Sequence, residues 1–182
     1  MGWVDNVPGT KLYIGGLHAL YQKQDMFRDA KITHIVSVLD FDIYEAGHFE
    51  QYQHMHLRLD DDPNENILEH FTETNTYIDK AIREGGAVFV HCAMGKSRSA
   101  TIICAYMMWR HGLSPEDALS RLNEGRPVCD PNPGFWEQLE VYDHMLKAKT
   151  DTERHDIYTH WHEGRGTTDW YTVDRRRQAA KL

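Results

Sequence analysis

Residues 88–101 read VFVHCAMGKSRSAT and join a short apolar run to the start of a helix. The apolar residues 87–90 are typical of a strand buried in the centre of a sheet. The helix is predicted over residues 99–111, and Gly112 ends it. In the loop between them, backbone N–H groups and the positive end of the helix can surround an anion. Gly95 gives this loop the backbone freedom it needs, so the stretch predicts an anion-binding loop.

On both sides of this stretch, predicted strands alternate with predicted helices. β-branched and alternating patterns indicate strands at residues 11–14, 32–39 and 54–59. Helical spacing and N-cap signals such as Ser114-Pro115 and Asn132-Pro133 indicate helices at residues 17–27, 66–84, 114–125 and 132–147. This order predicts an α/β fold with a central, mostly parallel sheet flanked by helices.

A change in composition after residue 148 predicts the domain organisation. Residues 1–148 are expected to form one catalytic domain. Residues 149–182 are polar with scattered aromatic side chains, and they are expected to form an accessory segment that is partly helical or disordered. One interpretation is that this segment packs an aromatic or two against the domain; the other is that it binds a partner.

Charge and cysteine content exclude several classes of protein. The 182 residues have a formal net charge of −8, which argues against a general nucleic-acid-binding surface. No apolar run is long enough for a membrane helix, and the N-terminus lacks the pattern of a secretory signal. The three cysteines include no CxxC pair, so neither a zinc ribbon nor a disulfide framework is indicated. We therefore expect an intracellular protein, cytoplasmic or nuclear, that uses no metal.

Cys92 lies at the mouth of the predicted anion-binding loop. A helix N-terminus and nearby cations favour the thiolate form of a cysteine, and a thiolate there can attack a phosphoryl group. Arg98 can bind two phosphate oxygens at once, and Ser99 can hydrogen-bond the sulfur when it leaves. The alternative is that Cys92 is only a packing residue. That alternative would be favoured for an isolated cysteine, but not for one followed by Gly95, Arg98 and Ser99 at this spacing. Cys104 is expected to be a core residue, with an oxidative disulfide to Cys92 as the alternative, and Cys129 a packing residue.

The run HCAMGKSRS resembles the H-C-x-x-G-x-S-R-S motif of dual-specificity phosphatases, within the cysteine-dependent protein tyrosine phosphatase superfamily. The resemblance extends from residue 9 to about residue 146 and includes Pro131-Asn132-Pro133-Gly134-Phe135. It implies that Cys92 is the nucleophile, Arg98 the phosphate binder and Ser99 the aid to thiolate release. The implied phosphate-binding loop consists of His91, Ala93, Met94, Gly95, Lys96 and Ser97. His91 would tune the thiol, and Asn132 would support the loop.

The general acid is expected in the acidic run Asp60-Asp61-Asp62, which lies in a loop before a predicted helix. Asp61 lies 31 residues before Cys92 and ten before Phe71, which is similar to the spacing of the acid in dual-specificity phosphatases. Asp61 is therefore the first candidate, with Asp62 and then Asp60 as alternatives. Each of them could instead cap the helix.

The resemblance implies hydrolysis of phosphotyrosine and phosphoserine/threonine monoesters on proteins, through a cysteinyl-phosphate and without a cofactor. Lys96 keeps a phosphoinositide or other non-protein phosphatase open as an alternative. A second alternative is a scaffold role in ribosome assembly, because residues 155–161 are similar to a segment in family members that carry a C-terminal zinc-binding domain. The chain ends without the zinc cysteines of that branch. The implied partners are phosphoprotein substrates and, for that branch, pre-ribosomal particles, with no membrane and no direct nucleic acid.

Overall fold

The computed structural model describes residues 3–43 and 49–180, and these residues include a sheet of five strands. In chain order the strands are Val4–Asn6 (β1), Leu12–Gly16 (β2), Ile32–Val38 (β3), Gln53–Leu57 (β4) and Ala87–Cys92 (β5). Across the sheet the order is β1-β2-β5-β3-β4. Only β1 pairs antiparallel to its neighbour, which confirms the prediction of a mostly parallel sheet.

Eight helices occur in the described residues. They are His18–Gln22 (α1), Gln24–Asp29 (α2), Phe71–Arg83 (α3), Arg98–His111 (α4), Pro115–Gly125 (α5), Pro133–Lys147 (α6), Asp151–Glu163 (α7) and Trp170–Ala180 (α8). The predicted single helix at 17–27 is divided at Lys23, whose backbone is not helical (φ −129°, ψ 41°). A 3₁₀ turn at Leu68–His70 precedes α3, where the pattern predicted one helix from residue 66.

Two apolar cores lie on the two faces of the sheet. On β5 alternate side chains point to opposite faces, so Val88, Val90 and Cys92 enter the larger core, whereas Ala87 and Phe89 enter the smaller one. The larger core lies under helices α3 to α6, and α4 is buried from Arg98 to Met108. As a result β5 is the central strand of the sheet, and both its last residue and the first turn of α4 are buried.

The chain after residue 148 forms α7 and α8. Thr150 caps α7, because its side chain accepts a hydrogen bond from the backbone N–H of Glu153 at 3.1 Å. Tyr158 and Trp161 on α7 pack against the larger core. No described helix is long and apolar enough to cross a membrane.

Candidate active site

The thiol of Cys92 is buried at the point where β5 ends. Its Sγ accepts a hydrogen bond from the backbone N–H of Gly95 at 3.3 Å. The hydroxyl of Ser99, in the first turn of α4, lies 3.3 Å from the same sulfur. Residues 93–97 therefore curl over the thiol, and the predicted contact between Ser99 and the sulfur is present.

The carbonyl groups of this loop are bonded away from its centre. Ala93 O accepts from Leu17 N–H at 3.1 Å, and Lys96 O accepts from Asp130 N–H at 2.9 Å. Arg126 donates to the two carbonyls between them, to residue 94 at 3.1 Å and to residue 95 at 2.7 Å. In a trans peptide the C=O and the following N–H point in opposite directions. The N–H groups of residues 94–97 consequently face inward and can receive an anion.

Gly95 is required by this loop for two reasons. Its φ of +65° is unfavourable for a residue with a side chain. A Cβ at this position would also lie 2.3 Å from the carbonyl carbon and oxygen of Gly15 on β2. The loop is thus packed directly against the neighbouring strand.

The guanidinium of Arg98 lies beneath the loop and is buried. Nη1 donates to Leu59 O at 3.1 Å, whereas the buried Nε has no hydrogen-bond acceptor. The carboxylates of Asp40 and Asp61 approach the guanidinium to 3.6 and 4.0 Å. A buried donor without an acceptor costs free energy, and a phosphate oxygen in the loop would supply that acceptor.

The three adjacent aspartates point in different directions. Asp61 Oδ1 accepts from Ser97 Oγ at 2.6 Å and from Asn132 Nδ2 at 2.9 Å, so this carboxylate lies against the anion-binding loop. Asp60 Oδ1 accepts the neighbouring backbone N–H at 2.7 Å. Asp62 Oδ1 accepts from the backbone and side-chain amides of Asn64 at 2.8 and 3.1 Å. The last two therefore shape their own loop.

Asn132 joins the acid loop, the anion-binding loop and α6. Its Oδ1 accepts from Phe135 N–H at 2.9 Å and so caps α6. Its backbone N–H donates to Ser97 Oγ at 3.0 Å. With the side-chain bond to Asp61, Asn132 contacts both halves of the site, the acid loop through its side chain and the anion-binding loop through its backbone.

His91 is fully buried on the far side of the sheet from the Cys92 thiol. Its Nε2 lies 2.5 Å from Ser37 Oγ, and Ser37 Oγ lies 2.6 Å from His54 Nε2. Its Nδ1 lies 3.4 Å from the carbonyl oxygen of Cys92. Burial lowers the pKa of His91 to about 3, so the ring is neutral. The contact with the Cys92 carbonyl is the described route by which His91 can act on the thiol.

Two loop side chains face solvent. Met94 is 75% exposed and Lys96 is also exposed. Both line a groove beside the loop whose walls include Leu119, Pro127 and Val128. The loop therefore presents one apolar and one cationic side chain to solvent.

Arg126 is the supporting residue that the sequence did not reveal. Besides its two bonds to loop carbonyls, its Nη1 donates to Asp5 Oδ2 on β1 at 2.6 Å, and both side chains are nearly buried. These residues are 121 positions apart, so no local pattern links them.

The other two thiols, Cys104 and Cys129, are buried and form no disulfide. Burial raises the pKa of both thiols, that of Cys129 to about 12.

The family of the chain follows from comparison with known proteins. The dual specificity phosphatase catalytic domain matches residues 12–145, and the chain belongs to this family. It therefore contains a phosphatase domain, and the α/β fold expected from the sequence is confirmed.

Individual relatives agree with this assignment. Dual specificity protein phosphatase 1 of Arabidopsis thaliana is 37% identical over 147 residues, which cover 79% of this chain and 73% of that protein. Tyrosine-protein phosphatase YVH1 of Saccharomyces cerevisiae is 32% identical over 152 residues, which cover 74% of this chain but only 42% of that protein. The crystal structure of human DUSP28 superimposes with a TM-score of 0.75 at 32% identity and covers 81% of this chain and 97% of that one.

Proposed function

We propose that this chain hydrolyses phosphotyrosine and phosphoserine/threonine monoesters on proteins through a cysteinyl-phosphate. The observation that carries the proposal is the loop at residues 92–98. Its N–H groups converge above Cys92 Sγ, and the buried Arg98 Nε lacks an acceptor. Membership of the dual specificity phosphatase family supports the same chemistry.

The first step is attack on phosphorus by Cys92. The inward N–H groups and Arg98 bind the three non-bridging oxygens and stabilise their charge in the transition state. The S–P bond forms as the P–O bond to the leaving group breaks. Asp61 donates its proton to that leaving oxygen; Oδ2 carries the proton, since Oδ1 already accepts two hydrogen bonds.

The second step returns the enzyme to its starting state. Asp61, now a carboxylate, removes a proton from water while that water attacks phosphorus. The S–P bond breaks and the thiolate leaves. Ser99, whose hydroxyl lies 3.3 Å from the sulfur, donates a hydrogen bond to it at that moment.

A phosphoprotein substrate fits the exposed mouth of the site. Met94 and Lys96 are available to side chains that flank the phosphoresidue. None of the described contacts favours an inositide over a protein. The pre-ribosomal partner and the cytoplasmic or nuclear location expected from the sequence stay predictions.

Hydrolysis of para-nitrophenyl phosphate in EDTA tests the mechanism. We expect wild-type turnover to be unaffected by EDTA, because no step uses a metal. Cys92→Ser should abolish turnover. Cys104→Ser, a change of the same kind at a buried thiol on α4, should retain most of it. Full activity in Cys92→Ser, or loss of wild-type activity in EDTA, would contradict the proposal.

A further inference from the structure

The segment after residue 148 makes direct hydrogen bonds to the loop that carries Asp61. Trp170 Nε1, at the start of α8, donates to Asn64 Oδ1 at 2.8 Å. Arg165, between α7 and α8, donates through Nη2 to the backbone oxygen of Asn64. Both oxygens of Asn64 are thus bound by the C-terminal segment.

Asn64 is in turn hydrogen-bonded to the acidic run. Its backbone and side-chain amides both donate to Asp62 Oδ1, at 2.8 and 3.1 Å. The backbone N–H of Glu65 donates to the carbonyl of Asp62 at 3.0 Å, which closes a tight turn. Asp61 directly precedes this turn, so the contacts of Asn64 lie next to the residue that carries the candidate acid.

A third contact lies at the other end of the loop. Asn66 is buried, and its Nδ2 donates to the hydroxyl of Tyr158 on α7 at 3.0 Å. The C-terminal segment therefore binds the loop on both sides of Glu65.

The C-terminal segment is itself fixed to α6. Trp161 Nε1 donates to Glu137 Oε2 at 3.0 Å, and the Arg165 guanidinium lies 5.1 Å from the centre of the Trp161 ring. Asn132, the N-cap residue of α6, bonds to Asp61 directly. The same helix thus anchors Asp61 from one side and the segment that contacts its loop from the other.

Residues 58–67 contain neither a strand nor a helix, and Asp61 and Asp62 are exposed, so this loop is held by side-chain contacts and not by secondary structure of its own. A general acid must lie within hydrogen-bond reach of the leaving oxygen. A displacement of about 1 Å can lower a rate by roughly 100-fold.

We propose that Arg165 and Trp170 are positioning residues that hold the loop of Asp61 in its proton-donating position. This inference rests on the proposed function, because it assumes that Asp61 is the general acid. It gives the C-terminal segment a role in the catalytic step.

The test is the dependence of kcat/KM on the leaving group. Phenyl phosphate needs protonation of its leaving oxygen, whereas 2,4-dinitrophenyl phosphate has a leaving group that departs without it. In the double variant Arg165→Met/Trp170→Phe, which keeps the apolar parts of both side chains, kcat/KM for phenyl phosphate should fall about tenfold. For the dinitrophenyl ester it should change by less than about twofold.

Arg175, on the same helix as Trp170, provides a matched control. Arg175 lies on α8 with its guanidinium 5.8 Å from the Tyr171 ring. Arg175→Met should leave both substrates unchanged. Equal losses with both esters, or no loss with either, in the Arg165→Met/Trp170→Phe variant would overturn the inference.

A double-mutant cycle with Asp61→Asn separates this inference from the proposed function. Asp61→Asn should itself lower phenyl phosphate turnover selectively, and the C-terminal changes should then have no further effect. A loss that persists in the Asp61→Asn background would overturn the positioning role alone. If Asp61→Asn lowers neither reaction, or both equally, the assignment of Asp61 as general acid is wrong and the inference is overturned with it.

Amide hydrogen exchange provides a readout that does not depend on activity. The backbone N–H groups of Asn64 and Glu65 are bonded within the loop turn. They should exchange faster in Arg165→Met/Trp170→Phe than in the wild type or in Arg175→Met. Unchanged exchange at both positions would overturn the inference.

Discussion

Gly95 and Gly112 have almost the same backbone conformation in very different surroundings. Their φ angles are +65° and +66°. A Cβ at Gly112, the C-cap of α4, would meet nothing within 4 Å, whereas one at Gly95 would lie 2.3 Å from the Gly15 backbone. Comparing alanine at the two positions therefore separates backbone strain from close packing.

Gly112→Ala should lower the free energy of unfolding by about 1–2 kcal/mol, the cost of a left-handed residue with a side chain, and leave kcat/KM unchanged. Gly95→Ala should have this cost and also displace the anion-binding loop, so kcat/KM should fall by about 100-fold or more. Urea unfolding and para-nitrophenyl phosphate kinetics measure the two effects. Comparable activity in the two variants would show that the loop tolerates a side chain at residue 95.

The residues that sequence could predict are those whose partners are close in the chain. Gly95 and Ser99 both contact the Cys92 sulfur from within seven residues of it, so their spacing indicates their geometry. For the three aspartates the spacing favoured Asp61, but only side-chain direction distinguishes it from its neighbours. Arg126 could not be predicted, since the loop carbonyls and Asp5, to which it donates, come from distant regions of the chain.

At the scale of elements, three strands are linked by a polar network whose members Ser37 and His91 are buried and whose member His54 is partly buried. It runs from His54 on β4 through Ser37 on β3 to His91 on β5. If Nδ1 of His91 donates to the Cys92 carbonyl, its Nε2 accepts the Ser37 hydroxyl proton, and Ser37 Oγ accepts from His54. All hydrogen bonds of this polar network then run in one direction, from His54 to the carbonyl of Cys92, the residue that carries the thiol.

From this polar network we predict that the folded protein loses stability in acid. Burial lowers the pKa of His91 to about 3 and also lowers the pKa of His54, whereas an unfolded imidazole titrates near about 6.5. Between these pH values the unfolded state binds more protons. The contribution of these two histidines to the free energy of unfolding is therefore complete above about pH 6.5. It decreases as the pH falls, by up to about 1.4 kcal/mol per pH unit for His91.

Urea unfolding of wild type and His91→Gln from pH 7 to about pH 4 measures this contribution. The variant should lose stability less steeply as the pH falls. His160→Gln, at an exposed position on α7, should follow the wild type. Parallel pH profiles for the wild type and His91→Gln would contradict a neutral, buried His91.

Elements were predictable where their pattern is long. The apolar run of β5 and the capped helices α5 and α6 have strong local signals. Strand β1 has only three residues and no visible alternation, and it exists because it pairs with β2. The break between α1 and α2 at Lys23 likewise has no proline or glycine to indicate it.

At the scale of the whole molecule, a net charge of −8 surrounds a site that must attract an anion. The attraction is local, from Arg98, Lys96 and inward N–H groups, while the periphery repels acidic peptides at long range. Repulsion is strongest at low ionic strength, where the Debye length is about 30 Å at 0.01 M against about 8 Å at 0.15 M.

We expect the ratio of kcat/KM for an acidic phosphopeptide to that for a neutral one to rise about two- to threefold between these ionic strengths. Taking the ratio cancels competition by salt anions for the loop, because both peptides experience it equally. A ratio that falls as salt increases would indicate a basic substrate-binding surface that the net charge conceals.

The contact between Trp170 and Asn64 also makes the acid loop observable. The chain has five tryptophans, and the Trp170 indole N–H points at the loop of Asp61. Its proton resonance therefore depends on where Asn64 lies. A single indole signal in a nuclear magnetic resonance spectrum can thus follow the loop through binding and turnover, in the unmodified protein and without an added label.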